Sequence, residues 1–578
     1  MKTHSFSLIV VLAISLIFLN CSDDWLEVRQ KGGLNEYTLA TKEGIDALLV
    51  GAYSMLDGVS SQFGWEAASS NWVYGDIRGL IGNRGSDAGD APDIHSIQNF
   101  SESAENIWST AYLDVKWREV YAAVARCNSA ILVTGQALDD GNISREQAEL
   151  FLKQARALRG WYHFEAWRMW AMIPFMDENT DASEITNTED IRDKIIADLQ
   201  EGTMLPGNMG QVGRFNNTVC KVLLAKALMQ MYHNYAAALP LLEDVKNNGT
   251  KPNGDPIGLA PTYGEVFDIE NRNGIESVYT VQYSVNDGSG GYNGGWGEVL
   301  NFPYKSGGSP AGCCGFYQPT QEFVNSFRTS GGLPLLDNSY NDDPVINDQG
   351  LSPSDPFTED AGPLDPRLDW SVGRRGIPYW DWGPHTGSDW IRDQSYAGPY
   401  SPKKQVYKKS QEGKYTEVGS WTSGWTANGY RMIRYADVLL LLAECQIETG
   451  DLSGALANIN EVRSRAANPD GFVKEADGVT PAANYQISVY PSFPDQEYAR
   501  KALYMERKLE LGMEGHRWFD LNRWGITVTE LNRALDYEKS TPWGSHMYGN
   551  AVVGPEDVTY PIPQRQIDLS HGRLVQNR

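Results

Sequence analysis

Along several long stretches of this chain apolar residues return every three or four positions, the spacing of one face of a helix. From Trp117 to Asn128 the repeat is carried by Trp117, Val120, Tyr121 and Val124. A longer pattern runs from about Arg145 to Met172 through Phe151, Ala155, Leu158, Tyr162 and Ala166, and stops at Pro174. Thr218 to Tyr232 predicts an apolar helix, with a second after a short break, from about Ala236 to Val245. Ala436 to Glu448 opens another such pair, turned at Gly450-Asp451 and continued to about Ala466. Each pair has the form of a tetratricopeptide-like helical hairpin with small residues at the crossings. The pairs lie roughly 220 residues apart, which excludes a tandem array of 34-residue repeats. The pattern therefore predicts a mainly α fold, a helical superhelix scaffold interrupted by large insertions.

The main interruption, 251–430, loses the helical period. It is rich in Gly, Pro, Asn, Asp and aromatic residues, with short strand-like pieces such as Ser277 to Tyr283. Loops of this length are usually functional or disordered. The tryptophans Trp296, Trp370, Trp380, Trp382, Trp390, Trp421 and Trp425 argue against disorder, which is poor in aromatics. The organisation is then an N-terminal helical scaffold over 21–250, a loop-rich and aromatic-rich insertion over 251–430, and a C-terminal helical region over 431–578.

The first twenty residues stand apart. Lys2 and His4 precede an apolar run from Phe6 to Leu19. That run is shorter than the roughly 20 residues needed to span a bilayer, and it has the form of an export signal. Cys21 follows it directly and is the candidate lipidation site, although Asn20 stands where a small residue is usual. A lipid on Cys21 would anchor the chain to a membrane without a spanning segment; the alternative is plain secretion with Cys21 as a thiol. The formal charge of -25 disfavours nucleic acid and anionic lipid as ligands. With Cys21 acylated, five of the six cysteines remain, a poor disulfide framework. Cys127, Cys220 and Cys445 fall in apolar helical patterns. The adjacent Cys313 and Cys314 have no CxxC or histidine partner that would make a metal site.

A set of motifs carries a resemblance. Arg434-Tyr435-Ala436-Asp437-Val438-Leu439-Leu440 with Ala443-Glu444 resembles the RYADVLL…AE signature of SusD/RagB-type outer-membrane lipoproteins. Asn460 to Ala466 (NEVRSRA), Glu506 to Leu511 (ERKLEL) and Glu514 to Leu521 (EGHRWFDL) match as well. So do Ala155 to Arg159, Gly213-Arg214, Asp365 to Leu368 and Pro561 to Gln564, in the same order. The resemblance implies a tetratricopeptide-like superhelix carrying an irregular loop region. It further implies a protein that captures a nutrient, most often a glycan, and caps a SusC-type TonB-dependent transporter. Ser22-Asp23-Asp24 resembles the acidic export tag of surface-exposed lipoproteins of Bacteroidota, which implies the outer membrane, facing the medium. Capture of peptides, as in RagB-type uptake, is the alternative within the same assembly.

The residues themselves say more about binding than about catalysis. His516 and Asp520 lie four apart and would share a helix face. Glu506, Arg507, Glu510, Glu514, Arg517, Asp520 and Arg523 surround them at three- and four-residue spacing, as in one helix stabilised by ion pairs. Arg434, Tyr435 and Asp437 are expected to tie a helix start to its neighbours. No nucleophile elbow, HExxH, phosphate loop or dinucleotide fingerprint is present, so neither cofactor nor catalytic residue is assigned. A surface glycoside hydrolase would need two carboxylates across the sugar bond, and nothing singles out such a pair among 74 acidic residues. Asp87, Asp90 and Asp93 lack the ligand pattern of a calcium loop, and no metal site is assigned. A glycan site combines aromatic faces for sugar C–H groups with fixed polar partners in loops. Two segments have that composition. One is Asn71 to Arg78, with Trp72, Tyr74 and Arg78, leading into the polar loop from Gly82 to Asp93; the other is Asp287 to Glu298, with Tyr292, Asn293 and Trp296. Trp380, within Tyr379 to Trp382, is a third candidate.

Overall fold

A computed structural model of the chain describes residues 36–59, 64–104, 107–181, 183–304, 308–419 and 422–578. The export signal, Cys21 and Trp421 lie outside the described residues. The N-terminal scaffold is built from α1 (Lys42–Ser54), α2 (Ile107–Asp139), α3 (Arg145–Trp170), α4 (Arg192–Gly202), α5 (Asn217–Tyr232) and α6 (Tyr235–Asn248). The C-terminal part adds α7 (Tyr435–Thr449), α8 (Leu452–Ala466), α9 (Gln496–Leu511), α10 (Arg517–Trp524) and α11 (Thr527–Lys539). Starts and stops follow from local chemistry. At α3, Gln147 N donates to Ser144 Oγ and Ser144 N to Gln147 Oε1, a reciprocal capping box. Asn216, Asp451 and Asp495 cap α5, α8 and α9. Gly450 ends α7 in the left-handed region at φ 93°, where a side chain would be strained.

Consecutive helices pack pairwise from α1 to α6, and α6 then packs against α7, which pairs in turn with α8 and α9. The two hairpins that the sequence separates are thus stacked neighbours, and the insertion leaves and re-enters the superhelix at one joint. Small residues set the crossings. A Cβ on Gly160 would lie 3.0 Å from Asp198 Cβ and Leu199 Cγ, and one on Gly202 would lie 2.7 Å from Ala157 Cβ. One buried apolar cluster extends from Ala52 to Leu574. Among the described residues no helix is long and apolar enough to cross a membrane.

The insertion contains short antiparallel pieces rather than a larger sheet. Ser277–Tyr279 pairs with Ile433–Arg434, and Phe316–Pro319 pairs with Gly82–Gly85 of the N-terminal part. Only the first residues of the strand-like stretch from Ser277 to Tyr283 form ladder. Cys313 and Cys314 are joined to each other, a vicinal disulfide that the cysteine count alone disfavours. Cys127, Cys220 and Cys445 are free and buried in helices.

The charged positions from Glu506 to Arg523 do not form one helix. The chain breaks between α9 and α10, and the charges reach other elements. Arg434 binds Glu276, Glu510 and Glu514 at 2.6–2.8 Å. Arg367 binds Asp365, Glu506 and Glu510, while Arg463 binds Glu506 and Arg465 binds Glu276. Asp437 pairs with Arg507 and Lys226, as the motif reading expects of a residue that ties the start of α7 to its neighbours. Burial pushes the His516 imidazole down to about 4, leaving it neutral beside these pairs.

Candidate functional site

The segment that follows Ser277–Tyr279 is held at both ends before it turns outward. Val281 N donates to Tyr430 O at 2.8 Å, and Gly295 N donates to Thr426 O at 2.9 Å. Between them Ser284 N donates to Asn293 O at 2.7 Å, closing the loop on itself. Asp287 is its internal staple. The carboxylate accepts from Ser284 Oγ, from Ser289 N at 2.9 Å and from Asn293 Nδ2 at 2.8 Å. Those hydrogen bonds, that from Ser284 foremost, hold the exposed carboxyl below its usual range. Asn286, at φ 58°, donates from N to Glu417 Oε2 and from Nδ2 to Gly413 O, which fastens the loop tip to its neighbour.

This loop presents a cluster of rings. Trp425 is its buried buttress, and two glycines make room for it. A Cβ on Gly291, at φ 87°, would lie 3.0 Å from the Trp425 indole, and one on Gly419 would fall inside it, at 1.1 Å. Trp296 packs on Trp425 with ring centroids 5.1 Å apart. Tyr292 lies 5.9 Å from Trp296 and Trp65 lies 6.3 Å from it, the rings tilted by 46° and 36°. Tyr292 is 51% exposed, while Trp296 and Trp65 are half-buried. The Trp296 indole N–H has no partner among the described residues. The result is a short aromatic platform facing outward, with Asn293 at its edge.

The segment Asn71 to Arg78 has the composition of a binding loop but not the position of one. Trp72 is fully buried, and its Nε1 donates to Gly297 O at 2.9 Å, supporting the Trp296–Glu298 turn from beneath. Tyr74 is buried too, its hydroxyl donating to Glu66 O at 2.6 Å with Tyr112 O alongside at 3.0 Å. Arg78 pairs with Glu102 at 2.7 Å and Asp557 at 3.4 Å, under the rings of Phe100 and Tyr560. None of the three has a face to offer a ligand; burial of their partners in the core explains the difference. Trp380 is half-buried on Trp370, 5.0 Å away, and its Nε1 donates to Lys403 O at 3.5 Å. Its ring contacts lie within another cluster, apart from the platform. Of the seven residues read from the sequence, the structure gathers Tyr292, Asn293 and Trp296. Trp65 was missed; an isolated tryptophan after Gly64 carried no motif to single it out.

The chemistry available here is apolar stacking with fixed hydrogen bonds. Nearby Glu298 is buried and accepts from Asn301 Nδ2 at 2.9 Å, and burial raises its carboxyl above the usual range. Asp287 is occupied by the loop itself. Among the described residues no group of three or more His, Cys, Asp or Glu could hold a metal ion.

The family model described as the SusD family matches residues 275–578. A SusD-like protein of Formosa agariphila is 23% identical over 534 residues, covering 90% of this chain and 91% of its own length. A SusD-like protein of Bacteroides ovatus is 22% identical over 554 residues, covering 89% of this chain and 82% of its own. Among solved structures, a SusD homologue from Bacteroides thetaiotaomicron shares the fold with a TM-score of 0.66 at 20% identity, covering 94% of this chain and 99% of that one. Surface glycan-binding protein A from the same organism, solved in complex with laminarihexaose, gives 0.63 at 20% identity over 93% of this chain and 99% of its own.

Proposed function

The chain belongs to the SusD family, and from that premise we propose that it is a surface glycan-binding lipoprotein, anchored through Cys21, that captures oligosaccharide and passes it to a SusC-type TonB-dependent transporter. The observation that carries the glycan reading is the platform of Trp65, Trp296 and Tyr292. Sugar rings present flat C–H faces that lie against aromatic faces, while their hydroxyls need polar groups at the edge. A platform braced by Trp425 and stapled by Asp287 meets a sugar already ordered, which lowers the entropic cost of binding. The laminarihexaose complex of a protein with this fold supports the same reading. The carboxylates at the platform are occupied or buried, which favours capture over hydrolysis.

The test uses the full chain in detergent, run on native affinity gels containing soluble polysaccharides or a peptide digest, beside Trp296→Ala. One polysaccharide is expected to retard the protein, and Trp296→Ala to weaken that binding at least tenfold, about 1.4 kcal/mol. A shift by the peptide digest alone replaces glycan capture with peptide capture.

A further inference from the structure

A cleft of about 340 Å³ opens beside the platform, within the range of small-ligand pockets. Ser284 and Asn293 line it, so the cleft borders the loop that carries Tyr292, the platform's most exposed ring. Val50, Tyr53 and Asp57 supply one wall from the end of α1 and the turn after it. Arg214, just ahead of α5, supplies another.

Arg214 is the unusual member. It is only 8% exposed, its Nη2 donates to Asp46 Oδ1 at 2.8 Å, and its guanidinium lies 5.3 Å from the Tyr53 ring centroid. Its buried Nη1 has no partner among the described residues. Buried N–H groups are rarely left so, since an unmet donor costs about 1–3 kcal/mol. Across the cleft Asp57 accepts from Val59 N at 2.7 Å, and burial pushes its carboxyl up to about 7. The cleft therefore offers donors, acceptors and apolar ring surface together. Asp46 already balances the Arg214 charge, and Asp57 adds none or a negative one, so an anion has no net attraction here.

We propose that this cleft is a second subsite for the same glycan, holding an uncharged sugar unit with a hydroxyl that accepts from Arg214 Nη1, next to the unit stacked on Trp296 and Tyr292. The proposal rests on the glycan reading above. It makes the ligand longer or more branched than the platform alone could hold.

The test is titration calorimetry of the full chain in detergent with laminari-, malto-, cello- and xylohexaose, their trisaccharides, and the hexamer of polygalacturonic acid. Val50→Trp fills the cleft mouth from a residue 51% exposed that makes no side-chain hydrogen bond; Arg214→Gln removes the free donor. Both variants are expected to bind the preferred neutral hexasaccharide at least tenfold more weakly and its trisaccharide as well as wild type does. Trp296→Ala is expected to weaken both lengths. Wild-type hexasaccharide affinity in Val50→Trp overturns the subsite while leaving the platform in place. Wild-type affinity in Trp296→Ala overturns the platform itself. Preference for the acidic hexamer, lost in Arg214→Gln, overturns the uncharged assignment. Absence of binding to every sugar overturns both readings.

Discussion

Glu538, near the end of α11, has no exposed surface and little to hold its charge. One oxygen accepts from Glu322 N at 2.7 Å, and the other has no hydrogen-bond partner among the described residues. Burial, with the Glu322 carboxylate beside it, pushes the group up to about 8 from an ordinary 4.5. Between those values the unfolded chain has released a proton that the folded chain keeps. Stability from this group therefore falls as pH rises from 4.5 to about 8 and is level above that. Glu538→Gln keeps an acceptor and removes the ionisation. Thermal melts should show equal Tm for variant and wild type at pH 4 and a higher Tm for the variant at pH 8.5; the same difference at both pH values would refute the assignment. Single residues were also where the sequence misled. Asn71 to Arg78 and Asp287 to Glu298 have the same kind of composition, but Arg78 finds its partner Asp557 479 residues further along the chain. Nothing local records such a partner, so burial could not be told from ligand contact.

At the scale of elements the helices were legible, because a 3.6-residue period and side-chain caps are local properties. The α3 pattern read as Arg145 to Met172 folds as Arg145–Trp170, and the Ala436 and Thr218 hairpins fall within a few residues of their expected bounds. The loop-rich region was legible only as a region, since its ladders join distant pieces, as Gly82–Gly85 joins Phe316–Pro319. Helix crossings make a specific prediction. A Cβ on Gly202 at the end of α4 would lie 2.5 Å from Cys220 Sγ and 2.7 Å from Ala157 Cβ, so α3, α4 and α5 approach only because that position is bare. Gly202→Val should cost about 1–3 kcal/mol by overpacking. Guanidinium titration should show a lower midpoint with an unchanged slope, and a wild-type midpoint would mean that the crossing is looser than described.

For the whole molecule, the question is whether the insertion melts with its scaffold or apart from it. The change of composition near 250 and 430 suggests separable parts, but buried ion pairs cross the border near 430. Glu276 and Arg367, from the insertion, meet Arg434, Arg465, Glu506 and Glu510 from the C-terminal helices. Parting the two regions would leave buried charges unpaired, and breaking one such pair typically costs about 3–5 kcal/mol. Calorimetry at neutral pH should accordingly give one unfolding peak. Neighbouring buried pairs set the response to acid. Against the upward push of burial, Lys226 and Arg507 hold Asp437 well below its usual range, and Arg434 and Lys404 lower Glu514. Arg507 and Arg523 do the same for Asp520. Carboxylates depressed in the folded chain stabilise it above their unfolded values, near 4, and lose that contribution as pH falls through the folded ones. The single peak should therefore move steeply to lower temperature below about pH 4 and stay single as it moves. A second peak that separates on acidification would show the insertion unfolding alone, and would confine the ion pairs to orienting the two regions rather than coupling them.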